Sequence, residues 1–136
     1  LRLSVWCSVL GTPDSPFTLP YDAQSPSLSK VLKFESEEDV LQEIERLIDE
    51  AEQNGHPVAR SLYLQCPLFA DIRTFIHKWH IDMVNDYWAV KTLNIPLATS
   101  LDKISVSTLD SMMIIEQELN DIQKYRTQIA RQKNEQ

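Results

Sequence analysis

Proline placement constrains this chain more than any other feature. Four of its seven prolines, Pro13, Pro16, Pro20 and Pro26, fall in the first third. Each removes an amide donor and pushes the preceding residue out of helical geometry. Residues 11–33 are therefore expected to run as an extended, turn-rich arm. Pro57, Pro67 and Pro96 stand at the ends of periodic stretches and divide the remainder into pieces of helical length. With only Gly11 and Gly55 as glycines, the chain has no phosphate-cradling loop of the GxGxxG or GxxxxGK type.

The clearest helix is predicted over residues 36–54. Ser36 and Asp39 form a capping-box-like pair, and Val40, Leu41, Ile44, Leu47, Ile48 and Ala51 recur at the spacing of one buried face. Asn54-Gly55 stops it, with Gly55 suited to a left-handed conformation. A short helix is expected near residues 57–65, with Pro57 in its first turn. From Leu68 to Leu93 two apolar stripes run together, one through Trp79, Met83, Tyr87 and Val90, the other through His77, Ile81, Val84 and Trp88. A helix apolar on two sides is packed on two sides, so this stretch is predicted to be the central helix, burying both tryptophans. A last helix is expected over residues 107–133, opened by Ser107 and Asp110. At ~1.5 Å per residue it would be roughly 40 Å long, and its final turns are expected to project.

The first ten residues, LRLSVWCSVL, alternate apolar with polar or aromatic side chains. Period two predicts a strand. A signal peptide is the rival reading, but the segment is too short and Gly11-Thr12-Pro13-Asp14 stands where a cleavage site should be. The rest of the chain offers little β material, so the strand is expected to pair with another chain. Phe17, Leu19, Tyr21 and Leu28 dot the arm with apolar groups and imply that it lies against a surface.

At 136 residues and 43% hydrophobic content, the chain suits one domain with a real core. Twenty acids against thirteen bases give a formal charge of −7, which disfavours direct nucleic-acid binding. No apolar run reaches the ~18 residues of a membrane span. Two cysteines, Cys7 and Cys66, make no disulfide framework and predict a reduced, cytoplasmic setting. Charge is uneven: residues 35–52 hold nine acids and one base, whereas residues 123–136 hold four bases and one acid.

Candidate chemistry is sparse. His77 and His80, with Asp82 and Asp86 beyond them, are the nearest approach to a metal site, but no HExxH or ExxH motif accompanies them. Thr12-Pro13, Ser15-Pro16 and Ser25-Pro26 have the form of proline-directed phosphorylation sites, and also of ordinary turns. Nothing has the form of a nucleophile elbow or a cysteine-protease signature.

Asp86-Tyr87-Trp88, followed by the run from Leu109 to Asn120 (LDSMMIIEQELN), resembles small accessory proteins of tailed bacteriophages. In that group an aromatic-rich helix precedes a short loop and an apolar, acid-dotted helix. The resemblance covers roughly residues 68–122. It implies a tail, baseplate or tail-assembly protein without catalysis, and it carries over no functional residue.

The expectation is therefore a mainly α protein of three principal helices (36–54, 68–93, 107–133) and a short one. An extended Pro-rich arm over 1–33, beginning with a strand, precedes a helical domain over 34–136. Its expected role is that of a non-enzymatic structural or assembly subunit, cytoplasmic in the producing cell or part of a virion, with protein subunits as partners. No cofactor, membrane, nucleic acid or small-molecule ligand is expected. Leu3, Val5, Phe17, Tyr21, Tyr125 and Ile129 are the expected partner-binding residues. The alternatives are a small metal-binding protein or metalloenzyme centred on His77 and His80, and a phospho-regulated intracellular adaptor.

Overall fold

The computed structural model describes the chain apart from residues 16, 97 and 136 and the side chain of Leu101. The described residues form helices α1 (Arg2–Leu10), α2 (Glu37–Gln53), α3 (Val58–Gln65), α4 (Lys78–Leu93) and α5 (Val106–Asn134). One antiparallel hairpin, β1 (Tyr21–Ser25) and β2 (Lys30–Phe34), precedes α2. The protein is mainly helical, and its packing falls into two compact units, Leu10–Phe75 and Leu1–Val9 with Ile76–Gln136.

In the unit Leu10–Phe75, the expected arm folds back on itself. Tyr21 pairs with Phe34 and Ser25 with Lys30. Pro26 lies in the turn rather than in a strand, so it removes no ladder hydrogen bond, and Ser29 closes the turn at φ 55°. Alternation along β1 buries Ala23 and Ser25. Helix α2 begins where the sequence places it, its Asp39 carboxylate accepting from the amides of Glu35 (2.9 Å) and Ser36 (3.3 Å). It ends with Gly55 at φ +69° and the His56 amide donating to the Ala51 carbonyl at 2.8 Å. Val40, Glu43, Leu47 and Ala51 form its buried face. An aromatic column of Phe17, Tyr21, Phe34 and Phe69, with ring centroids 4.8–5.7 Å apart, ties the hairpin to the turn after α3.

The predicted helix over 68–93 is broken. Cys66–Leu68 and Ile72–Phe75 are single 3₁₀ turns, and α-helix resumes only at Lys78. Local acceptors account for the break. The Asp71 carboxylate takes the Arg73 amide at 3.0 Å, and the Asp71 carbonyl takes the Thr74 amide and hydroxyl. His77 is extended (φ −92°, ψ 159°) and gives its amide to Nδ1 of His80 at 3.0 Å. Side chains that offer the backbone such partners compete with helix continuation.

In the unit Leu1–Val9 with Ile76–Gln136, residues 2–10 are helical, not a strand. Ser4, Val5, Trp6 and Cys7 are buried in succession, which alternation does not allow. The i, i+4 pair Arg2 and Trp6 explains the choice: both reach Glu118 of α5, Arg2 Nη1 at 2.7 Å and Trp6 Nε1 at 2.8 Å. Helix α4 buries one face, through His80, Val84 and Tyr87. The two-sided burial expected of it does not occur, since Trp79 is 55% and Trp88 40% exposed. Helix α5 is capped by Ser105, whose hydroxyl accepts from the Thr108 amide, two residues earlier than the Ser107–Asp110 pair suggested. It buries Ile115, Glu118 and Ile122.

Candidate functional site

Where α4 ends and α5 begins, their spacing sets Tyr87, Val90 and Lys91 opposite Leu109, Met112, Met113 and Glu116. The result is an open groove of about 500 Å³ with a mostly apolar wall. Asn94 at φ 53° terminates α4 in the left-handed conformation that asparagine tolerates, and the chain turns towards α5. Met113 is 61% exposed and forms the rim.

A polar cluster anchors one side. The buried Tyr87 hydroxyl donates to Glu116 Oε1 at 2.5 Å, and Lys91 Nζ lies 3.0 Å from that hydroxyl and 3.4 Å from Glu116. Lys91 also sits 5.5 Å from the Tyr87 ring centroid, in cation–π range. Burial, reinforced by the Glu116 hydrogen bond, raises the Tyr87 hydroxyl above its usual range. The hydrogen bond from Tyr87 holds Glu116 below the usual carboxylate range, and the same tyrosine raises Lys91. Each group is thus pushed further into the charge state it already holds at neutral pH. A general acid or base works best with a pKa near the operating pH, and each of the three is shifted away from it.

The residues singled out by sequence are distributed over both units. Leu3 is half-buried on α1, and Val5 is 1% exposed inside its own unit. Tyr125 packs on the Trp6 ring at 5.6 Å, and Ile129 one turn on is half-buried. Arg126 Nη2 reaches the Val9 carbonyl at 3.5 Å, so α1 covers part of the end of α5 that was expected to project. Exposed helix follows from Ala130. Phe17 and Tyr21 do come together, and the Tyr21 hydroxyl, raised by burial, donates to the Phe69 carbonyl at 2.6 Å.

His77 and His80 have ring centroids 5.3 Å apart, but His80 Nδ1 is occupied by the His77 amide. Among the described residues, no three His, Cys, Asp or Glu side chains gather as metal ligands. Ser25 is fully buried, its hydroxyl taken up by Leu28 N–H and Ser27, so a kinase meets it only if the hairpin opens. Thr12 is exposed, and Pro16 of the Ser15-Pro16 pair lies outside the described residues.

Sequence reasoning missed the Tyr87–Lys91–Glu116 cluster. The i, i+4 spacing of Tyr87 and Lys91 was a signal, but Glu116 joins only through the α4–α5 packing. No helix among the described residues is long and apolar enough to cross a membrane. No protein-family model, curated protein or solved structure matches this chain.

Proposed function

We propose that this protein is a non-enzymatic assembly subunit that docks onto larger proteins, and that the α4–α5 groove receives an apolar helix face of a partner subunit. The open, methionine-lined groove is the observation that carries this reading. Met112 and Met113 are unbranched and polarizable, suited to packing against a surface supplied from outside. The Tyr87–Lys91–Glu116 cluster fixes the geometry of one wall and leaves its charges set, as a recognition surface requires. Trp79, Ile81, Trp88 and Leu93 on α4 are exposed as well. The resemblance of residues 68–122 to tail accessory proteins gives the assembly its most specific form, a phage tail or baseplate.

A photo-crosslinking residue at Met113, introduced into the chain within its native assembly, is expected to join it to one other protein subunit. Met112→Asp with Met113→Asp is expected to abolish that incorporation while the chain keeps its helical circular dichroism. Full incorporation of the double variant would overturn the reading. A purified chain holding stoichiometric metal on elemental analysis would favour the histidine-centred alternative instead.

A further inference from the structure

A second concavity lies wholly within the unit Leu10–Phe75, and it goes beyond the groove reading. Its walls are Phe17, Leu19, Tyr21, Val40, Leu41 and Phe75, and it encloses about 230 Å³. An apolar cavity of about 150 Å³ already takes benzene, so this one accommodates a larger ring or a branched aliphatic side chain. Leu41 at its mouth is 49% exposed.

The border is acidic. Glu37 and Asp71 line the opening, and Arg73 beside them is shared between Asp71 (2.8 Å) and Asp14 (3.6 Å). Two carboxylates therefore share one guanidinium, and Glu37 adds a further acid at the opening. From the mouth, Glu38, Leu41, Glu45, Asp49 and Glu52 continue along α2 at three- and four-residue steps, on one exposed face. The helix dipole explains only part of this pattern. Acids in the first turn are stabilising, but Asp49, Glu50 and Glu52 stand at the C-terminal end, where negative charge is unfavourable, and no base occupies the last turn. Negative charge there works against local stability. An apolar socket at the head of an acidic track complements a basic segment with one large apolar side chain.

We infer that this pocket and the exposed face of α2 bind a Lys/Arg-rich segment of a partner protein, which seats an aromatic or large aliphatic side chain between Phe17, Leu41 and Phe75. The partner's flanking bases pair with Glu37, Glu38 and Glu45. Binding combines burial of the anchor with screened surface pairing, so it weakens as salt rises.

The test uses the full chain, isotopically labelled, and three acetylated, amidated peptides: Lys-Lys-Trp-Lys-Lys, Lys-Lys-Ala-Lys-Lys and Glu-Glu-Trp-Glu-Glu. The first is expected to shift the amides of Leu41, Thr74 and Phe75 saturably. The other two are expected to bind at least tenfold more weakly. Leu41→Lys, a change at an exposed position, is expected to weaken the first peptide by tenfold or more. Glu45→Lys should weaken it several-fold, with both variants keeping the parent melting temperature. Equal shifts from the Lys and Glu peptides would overturn the proposal, as would the absence of shifts at millimolar peptide. Shifts confined to Val90, Met112 and Met113 would overturn it too, while leaving the groove reading intact. Concentration-dependent shifts of the pocket amides without peptide would assign the pocket to a second copy of the chain and overturn the partner assignment.

Discussion

Glu43 has no exposed surface, yet it keeps its charge. Burial by itself would raise its pKa. The Ser27 amide, the Ser25 and Ser27 hydroxyls and the Arg46 guanidinium outweigh burial together and hold the carboxyl below the usual range. The distances are those of charge-assisted bonds: 2.9 Å from Ser27 N, 2.9 Å from its Oγ and 2.6 Å from Arg46 Nη2. One carboxylate thereby joins the hairpin turn to α2. A carboxyl whose folded pKa is depressed contributes stability above its unfolded value, near ~4.3, and loses it as pH falls through the folded value. Urea midpoints of the parent are therefore expected to fall with acidification below about pH 4.3, and Glu43→Gln should flatten that dependence. Glu43→Ala leaves the Ser27 amide and hydroxyl without their acceptor and is expected to cost about 1–3 kcal/mol at pH 7. An unchanged denaturation curve for Glu43→Ala would show that the hairpin turn does not depend on this clamp.

The start of α4 depends on a neutral imidazole. His80 is buried, and burial is the main reason its pKa lies below the usual histidine value. Its Nδ1 accepts the His77 amide, a role that imidazolium cannot fill, because both of its nitrogens are donors. Unfolded histidine titrates near ~6.5. Since the folded value is lower, the unfolded chain binds the extra proton first, and stability drops as pH falls below about 6.5. Amide exchange at His77 and in the first turn of α4 is expected to accelerate between pH 7 and 5, and His80→Ala should show fast exchange at both. The tryptophans separate the two kinds of helix surface. Trp6→Ala is expected to cost about 3–5 kcal/mol, as core tryptophan truncations do. Trp79→Ala and Trp88→Ala should each cost less than about 1 kcal/mol in thermal or urea melts, as exposed positions do. Helices α2 and α5 were legible because their apolar periods run over ten or more residues, and the short α3 because Pro57 stands at its start. Residues 2–10 were not: alternation points to Leu1, Leu3, Val5, Cys7 and Val9, whereas the helix buries Ser4, Val5, Trp6 and Cys7, and Glu118, which holds Arg2 and Trp6, lies more than a hundred residues away. The break at 69–77 hid behind a continuous stripe because Asp71 and His80 act through hydrogen bonds, which periodicity does not register. Of the candidate site residues, Phe17 and Tyr21 were readable as apolar groups stranded in a proline-rich stretch. The α4–α5 groove was not, because it exists only once two helices pack.

Two compact units share this chain, and one of them is made from both ends of it. Removing residues 1–9 strips Glu118 of Arg2 and Trp6, and Tyr125 of the ring it packs on. That deletion is expected to destabilise α5 by at least about 3 kcal/mol, the lower value for a lost core tryptophan. Amide exchange from Ile115 to Tyr125 should lose its protection. Retained protection there would mean that α1 is an accessory to this unit and not part of its core. The same feature imposes an order of events during synthesis. At ~5–20 residues per second, the 112 residues between Trp6 and Glu118 take on the order of 6–20 s to translate. All of Leu10–Phe75 leaves the ribosome in that interval and meets no such delay. For those seconds the segment holding Val5 and Trp6 waits without the Glu118 carboxylate that later holds it, and its helix can dock only when α5 emerges.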